Sequence, residues 1–200
     1  MQPAERHLHT ADEYLELERR AETRSELVHG EIFAMAGGKP KHNALAWNVG
    51  VSLGVRLRAS KSRCTGFTSD QRVHVEATGL YTYPDLTVSC GPRFHPQHPD
   101  TLLNPTVIVE VLSSSTEAYD RGAKFAHYQS IPGFAEYVLV SQKERRIEHY
   151  RHLESPQATE QWLLTVLQGD DAVLELPALG CAIPLGEIYA GTDELEGDEV

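Results

Sequence analysis

Tyr83-Pro84-Asp85, then Val107-Ile108-Val109-Glu110-Val111-Leu112, then Asp120-Arg121-Gly122-Ala123-Lys124 form the stretch whose reading decides the fold. The apolar run is rich in β-branched residues, which predicts a strand over 106 to 112 buried on both faces. A glutamate inside such a strand has to be neutralised, paired or bound to a metal, because burying a lone carboxylate is costly. Asp85 stands in a second predicted strand, and Lys124 two turns into the helix that follows the first. The plainer account of Glu110 is an internal ion pair with an Arg or Lys.

Downstream of the run, Ser113-Ser114-Ser115-Thr116 offer N-caps for a helix over about 117 to 130, which Ile131-Pro132-Gly133 stops. Upstream, Leu80 to Cys90 reads as one strand with Pro84 inside it, hence an edge strand or a bulge, since proline cannot donate to a ladder. The intervening residues 92 to 105, with four prolines, read as an irregular loop of the length that is functional or mobile. Nearer the N-terminus, Thr10 and Glu13 make a capping box before a short helix with Tyr14 and Leu17 on one face. Glu26 to Met35 is a hairpin around His29-Gly30. Leu45, Val49, Leu53 and Leu57 recur at helical spacing from about His42 to Ala59. Arg56, Arg58, Lys61 and Arg63 gather at its end, either complementing the helix C-terminus or forming a phosphate-contacting patch. Val73 and Val75 then alternate with Arg72 and His74 in a strand. Beyond Gly133, strands are predicted over Glu136 to Ser141 and Arg146 to Arg151, followed by a hairpin of Gln161 to Gln168 with Ala172 to Leu176. Helix, strands, helix, strands is an α/β class of α+β layout with a mixed sheet. One domain is expected over 1 to 190, with an acidic tail over 191 to 200 that frays.

Composition bounds the function. At 200 residues the chain can bury a sizeable core, and 40% hydrophobic with 24% charged residues excludes disorder and membrane classes. No apolar run is long enough to span a bilayer, and Met1 to Arg20 lacks the apolar core of a secretory signal. Cys64, Cys90 and Cys181 are odd in number and far apart, which fits reduced thiols in a cytoplasmic protein. A formal charge of −11 argues against nucleic-acid binding over the whole surface but not against a local basic groove.

Carboxylates on neighbouring strands with a lysine close by are what metal-dependent phosphodiester cleavage requires. Two acids hold a divalent cation through oxygen, and a lysine positions water or offsets charge on the phosphorane. The ordered set Glu26-Leu27-Val28-His29-Gly30-Glu31, Tyr83-Pro84-Asp85, Val109-Glu110-Val111-Leu112-Ser113, Asp120 to Phe125, and Tyr128 with Ile131-Pro132-Gly133 resembles the PD-(D/E)XK nuclease superfamily. Within it, the closer likeness is to the Uma-type restriction-endonuclease family, over residues 10 to 190. The resemblance implies a restriction-endonuclease-like core of a central mixed sheet flanked by helices. It also implies Mg²⁺ or Mn²⁺ held by Asp85, Glu110 and the Val111 carbonyl, a nucleic-acid substrate expected to be DNA, and a homodimer with one site per strand of a duplex.

One departure is informative. The superfamily places a lysine two residues after the acid, on the same face of the strand, and here that residue is Leu112. The resemblance implies that Lys124 takes its place. Its position roughly 12 Å of helix beyond Thr116 lets the four-carbon stem reach back over the sheet. The alternative is an ordinary helical i,i+4 pair with Asp120. His42 and Asp70 are further candidates for the site wall, Asp70 competing with a plain turn role. His95 and His98 lack the companions of a transition-metal site. A non-catalytic module on the same fold, and a hydrolase of a small phosphorylated or nucleotide substrate, remain the rival readings.

Overall fold

The structure, a computed structural model, describes residues 7–61, 63–153 and 161–197. Thr10 caps α1 (Ala11–Arg20): its hydroxyl accepts from the Glu13 N–H at 3.3 Å, and the Glu13 carboxylate accepts from the Thr10 N–H at 2.8 Å. The helix buries Tyr14 and Leu15, while Leu17, expected inside, is 50% exposed. The buried pair faces Leu27 and Tyr81, so the hairpin selects the face. β1 (Ser25–Val28) and β2 (Glu31–Ala34) pair antiparallel with Val28 opposite Glu31. His29 and Gly30 close this two-residue turn with φ of 51° and 83°, the positive values that a tight hairpin needs.

α2 (Pro40–Ala59) starts on a proline at its first position, where a missing N–H costs nothing. Its stripe Leu45, Val49, Leu53 and Leu57 is fully inside. The chain then runs through β3 (Cys64–Thr68), β4 (Arg72–Val75), β5 (Leu80–Thr82), β6 (Leu86–Cys90), β7 (Thr101–Leu102) and β8 (Val107–Val111). Next come α3 (Glu117–Tyr119), a π-helical turn (Asp120–Lys124) and α4 (Phe125–Gln129). β9 (Glu136–Val140), β10 (Arg146–Leu153), β11 (Gln161–Gln168), β12 (Val173–Leu176), β13 (Cys181–Pro184) and α5 (Leu185–Ile188) complete the described elements.

Among the described residues the strands form a five-stranded sheet, β2-β1-β5-β4-β7, a six-stranded sheet, β11-β10-β9-β8-β6-β3, and the pair β12-β13. The six-stranded sheet is mixed, because β8 and β9 run parallel while its other pairs are antiparallel. β8 is buried on both faces as its composition predicts. Val107, Val109 and Val111 meet the α2 stripe on one face. Ile108 and Leu112 meet Phe125, Tyr128 and Tyr137 on the other. Truncating a core leucine such as Leu53 to alanine costs about 2–5 kcal/mol at sites of this kind.

The predicted strand Leu80 to Cys90 is two strands in two sheets. β5 pairs with β4 and β1, whereas β6 pairs with β3 and β8. Tyr83-Pro84-Asp85 is the crossing, and the proline that argued for an edge or a bulge marks the exchange of partners. The predicted hairpin of 161–168 with 172–176 is also replaced. β11 pairs along its length with β10, and β12 pairs with β13. The helix after β8 carries a π-helical turn where an unbroken α-helix was expected.

Two expectations about the surface chemistry change as well. Cys64 and Cys90, read as reduced thiols, lie directly opposite each other on β3 and β6 and are joined by a disulfide, leaving Cys181 as the free thiol. Antiparallel pairing brought together two residues whose 26-residue separation hid them from each other. The acidic tail is held over 191–197: Lys41 N–H donates to the Glu196 carbonyl at 3.0 Å, and Arg145 pairs with Asp193 at 2.7 Å. Residues 198–200 lie outside the described ones.

Candidate active site

Where β6 and β8 diverge, past the pairing of Leu86 with Val109, side chains take over from the ladder. The Asp85 N–H donates to Glu110 Oε2 at 3.2 Å, and Asp85 Oδ2 accepts from the Val111 N–H at 2.7 Å. Asp85 and Glu110 are therefore neighbours at the same end of the same strand pair. His42, in the first turn of α2, places Nε2 3.2 Å from Asp85 Oδ2. Burial pulls its imidazolium down, but the Asp85 hydrogen bond and charge, helped by Asn43 and Glu110, bring its pKa above the ordinary histidine value.

Lys124 reaches this point from the π-helical turn. Its Nζ is 2.9 Å from Glu110 Oε1, 3.2 Å from Glu26 Oε1 and 3.5 Å from Asp120 Oδ1. The Tyr128 hydroxyl donates to the same Glu110 oxygen at 3.0 Å, and the Thr82 hydroxyl donates to Glu26. Glu26, Glu110, Asp120 and Lys124 are all buried. Four carboxylates, counting Asp85, thus crowd around Lys124 and His42. Burial pushes the Glu110 carboxyl up to about 8, Lys124 opposing and Asp120 and Asp85 reinforcing. Burial likewise raises Asp120 against the pull of Lys124. For Lys124 burial works against the charge, yet Glu110, Tyr128, Glu26 and Asp120 outweigh it and keep the ammonium protonated.

The structure thus brings together Asp85, Glu110, Val111, His42 and Lys124 at one wall of a cleft of about 1650 Å³. It does not bring Asp70, which is exposed and ion-paired with Arg24. Its turn joins β3 to β4. His95 and His98 stack on each other, and His98 bonds Arg19. Glu26 is the acid that reasoning from the sequence did not place in the site. Alternation along β1 was a usable signal, since Leu27 faces α1 and Glu26 must face the other way. Asp120, whose i,i+4 pair with Lys124 is the alternative reading of that lysine, does pair with it, but buried inside the cluster at 3% exposure.

The donor set fits a hard divalent cation. It consists of carboxylate oxygens with a strand carbonyl nearby, and it carries more negative charge than its two cationic side chains offset. Asp85 Oδ2 holds both the Val111 N–H and His42, leaving Oδ1 outside those bonds.

Comparison with known proteins bears on the fold and the family. A crystal structure described as "a putative nuclease belonging to DUF820" from Anabaena variabilis ATCC 29413 superposes with a TM-score of 0.71 at 19% identity, over 90% of this chain and 97% of that one, and shares its mixed α/β fold. The uncharacterized protein sll1609 of Synechocystis sp. (strain ATCC 27184 / PCC 6803 / Kazusa) is 36% identical over 167 residues, 83% of this chain and 91% of its own length. A second uncharacterized protein of that strain, slr1290, is 34% identical over 180 residues, 90% of each chain. A family profile described as "Putative restriction endonuclease" matches residues 11–186. The buried acids, the lysine and the sheet that carries them therefore sit inside a chain that belongs to the Uma2 family.

Proposed function

We propose that the chain hydrolyses phosphodiester bonds of nucleic acid, with DNA as the expected substrate, at the cleft that holds Asp85, Glu110 and Lys124. The observation that carries this reading is the position of Lys124. It reaches Glu110 from the following helix at 2.9 Å, although the strand itself carries Leu112 where a lysine would stand. Asp85, Glu110 and the Val111 carbonyl would hold Mg²⁺ or Mn²⁺. When bound, such an ion polarises a phosphoryl oxygen and makes its water more acidic.

The chain's own residues do the rest. Tyr128 and the Asp85 N–H fix the Glu110 carboxylate between them. The Val111 N–H and His42 fix the Asp85 carboxylate. Lys124, kept charged by its acids, donates to the attacking water or to the oxygen on which charge builds. A cleft of about 1650 Å³ exceeds the roughly 300–1,000 Å³ of small-molecule pockets, which favours a polymer over a nucleotide.

The test is a cleavage panel on plasmid, duplex and single-stranded DNA and on RNA, with Mg²⁺, Mn²⁺ or EDTA, for the native chain, Asp85→Asn and Lys124→Met. Metal-dependent cleavage that both substitutions remove is expected. A well-folded chain that cleaves nothing in any metal would make the cluster a structural ion network and sink the reading.

A further inference from the structure

Away from the acids, the same cleft is lined by aromatic and apolar side chains that stay exposed among the described residues. On α2, Trp47, Val51 and Val55 follow each other at four-residue spacing and are 72%, 44% and 59% exposed. They form a second apolar stripe on a helix whose first stripe is already in the core. Between them a Cβ on Gly54 would meet nothing within 4 Å. Phe33, 50% exposed on β2, and Phe67, half-buried on β3, also line the cleft, as do Arg58 and, in ion pairs with Asp70 and Glu196, Arg24 and Lys39. Trp47 lies about 7.5 Å along the helix axis and about 140° around it from His42, which touches Asp85.

We infer that this groove binds single-stranded nucleic acid, with unpaired bases stacked on Trp47 and Phe33 and the phosphates passing the Arg58 side of the groove. The inference deepens the nuclease reading of the same cleft and rests on it. A duplex hides the faces of its bases and is held mainly through phosphates, which calls for many cations. Here the chain carries −11 and the groove offers few cations but two exposed rings, Trp47 and Phe33. A single strand suits that balance, because every base has a face that an aromatic side chain can stack on whatever the sequence.

The test measures binding without cleavage. The full chain, in EDTA and again with calcium, is titrated into a labelled oligothymidylate of roughly 20 nucleotides, longer than the ~4–16 a small binding fold spans. The same strand annealed to its complement, and an oligouridylate, are titrated alongside. Expected are tighter binding to either single strand than to the duplex, and a loss of about tenfold or more for Trp47→Ala or Phe33→Ala. Both rings are exposed, so truncation opens no core, and an unchanged melting temperature checks this. Equal or tighter binding to the duplex overturns the inference, as does no binding to any strand or full affinity in both variants. If Trp47→Ala instead turns a dimer into a monomer in light scattering and leaves affinity unchanged, the stripe is an interface between copies and the inference also falls. The two readings fail separately: binding without cleavage removes the nuclease and keeps the groove, whereas cleavage with duplex preference does the reverse.

Discussion

Lys124 Nζ lies 2.9 Å from Glu110 Oε1, with both side chains buried, although one stands in a helix and the other in the middle strand of a sheet. Glu26 and Asp120 complete the surroundings of the ammonium. The lysine is thus the counter-ion of a buried acidic cluster, and its removal strands three carboxylates. Lys124→Met is expected to abolish cleavage and also to destabilise the fold by about 3–5 kcal/mol, the range for breaking a buried pair. Urea unfolding of the metal-free protein measures this. A loss of only the few tenths of a kcal/mol of a surface helical pair would return Lys124 to the bland role.

Glu26 separates charge from hydrogen bonding. Glu26→Gln keeps an amide oxygen for the Thr82 hydroxyl while reducing the acidic surplus, and is expected to change metal-free stability by less than about 1 kcal/mol. Glu26→Ala removes the carboxylate to which the buried Thr82 hydroxyl donates and is expected to cost about 1–3 kcal/mol. Equal losses in the two variants, by the same urea measurement, would refute the account of an acid surplus.

His74 supplies a pH dependence far from the acids. Its ring stacks on Tyr81 with centroids 4.0 Å apart. Burial lowers its pKa to about 4, with Glu76 opposing and His95 and Arg72 adding to the drop. The unfolded chain, with an ordinary histidine pKa near ~6.5, binds this proton more tightly than the folded one. Stability therefore rises with pH across that window and is lost as pH falls from about 6.5 towards 4, by up to roughly 3 kcal/mol. His74→Phe should flatten this part of the profile, and an unchanged slope would contradict the assignment.

The Cys64–Cys90 link closes a loop with a sequence separation of 26, for which chain entropy predicts about 3.5 kcal/mol. Reductant should lower the stability of the native chain by up to this amount and leave Cys90→Ser unaffected. An identical response in both would show that the thiols are not bonded in solution.

Local features were legible because their causes are local. The Thr10–Glu13 box, the His29-Gly30 turn and the helical stripe from Leu45 to Leu57 depend on a few neighbouring residues, and each formed where the sequence placed it. Glu110 was legible for another reason: a charge in a strand with no wet face needs a partner wherever the strand ends up. The motif resemblance added Asp85 and Lys124. Which sheet each half of 80–90 joins, which strand β11 pairs with, and that Cys64 faces Cys90 depend on partners distant in sequence, and no local pattern encodes them.

The site divides the same way. The sequence alone determined that Glu110 needs compensation, and the family resemblance implied Lys124 as its source. Only the tertiary structure decided that Glu26 and Asp120 share that lysine, that His42 rather than Asp70 stands against Asp85, and that an apolar groove runs on from the acids. The physical reason is that a buried charge fixes the need for a partner locally, while the choice among partners falls to whichever side chains the packed sheets and helix bring within about 4 Å.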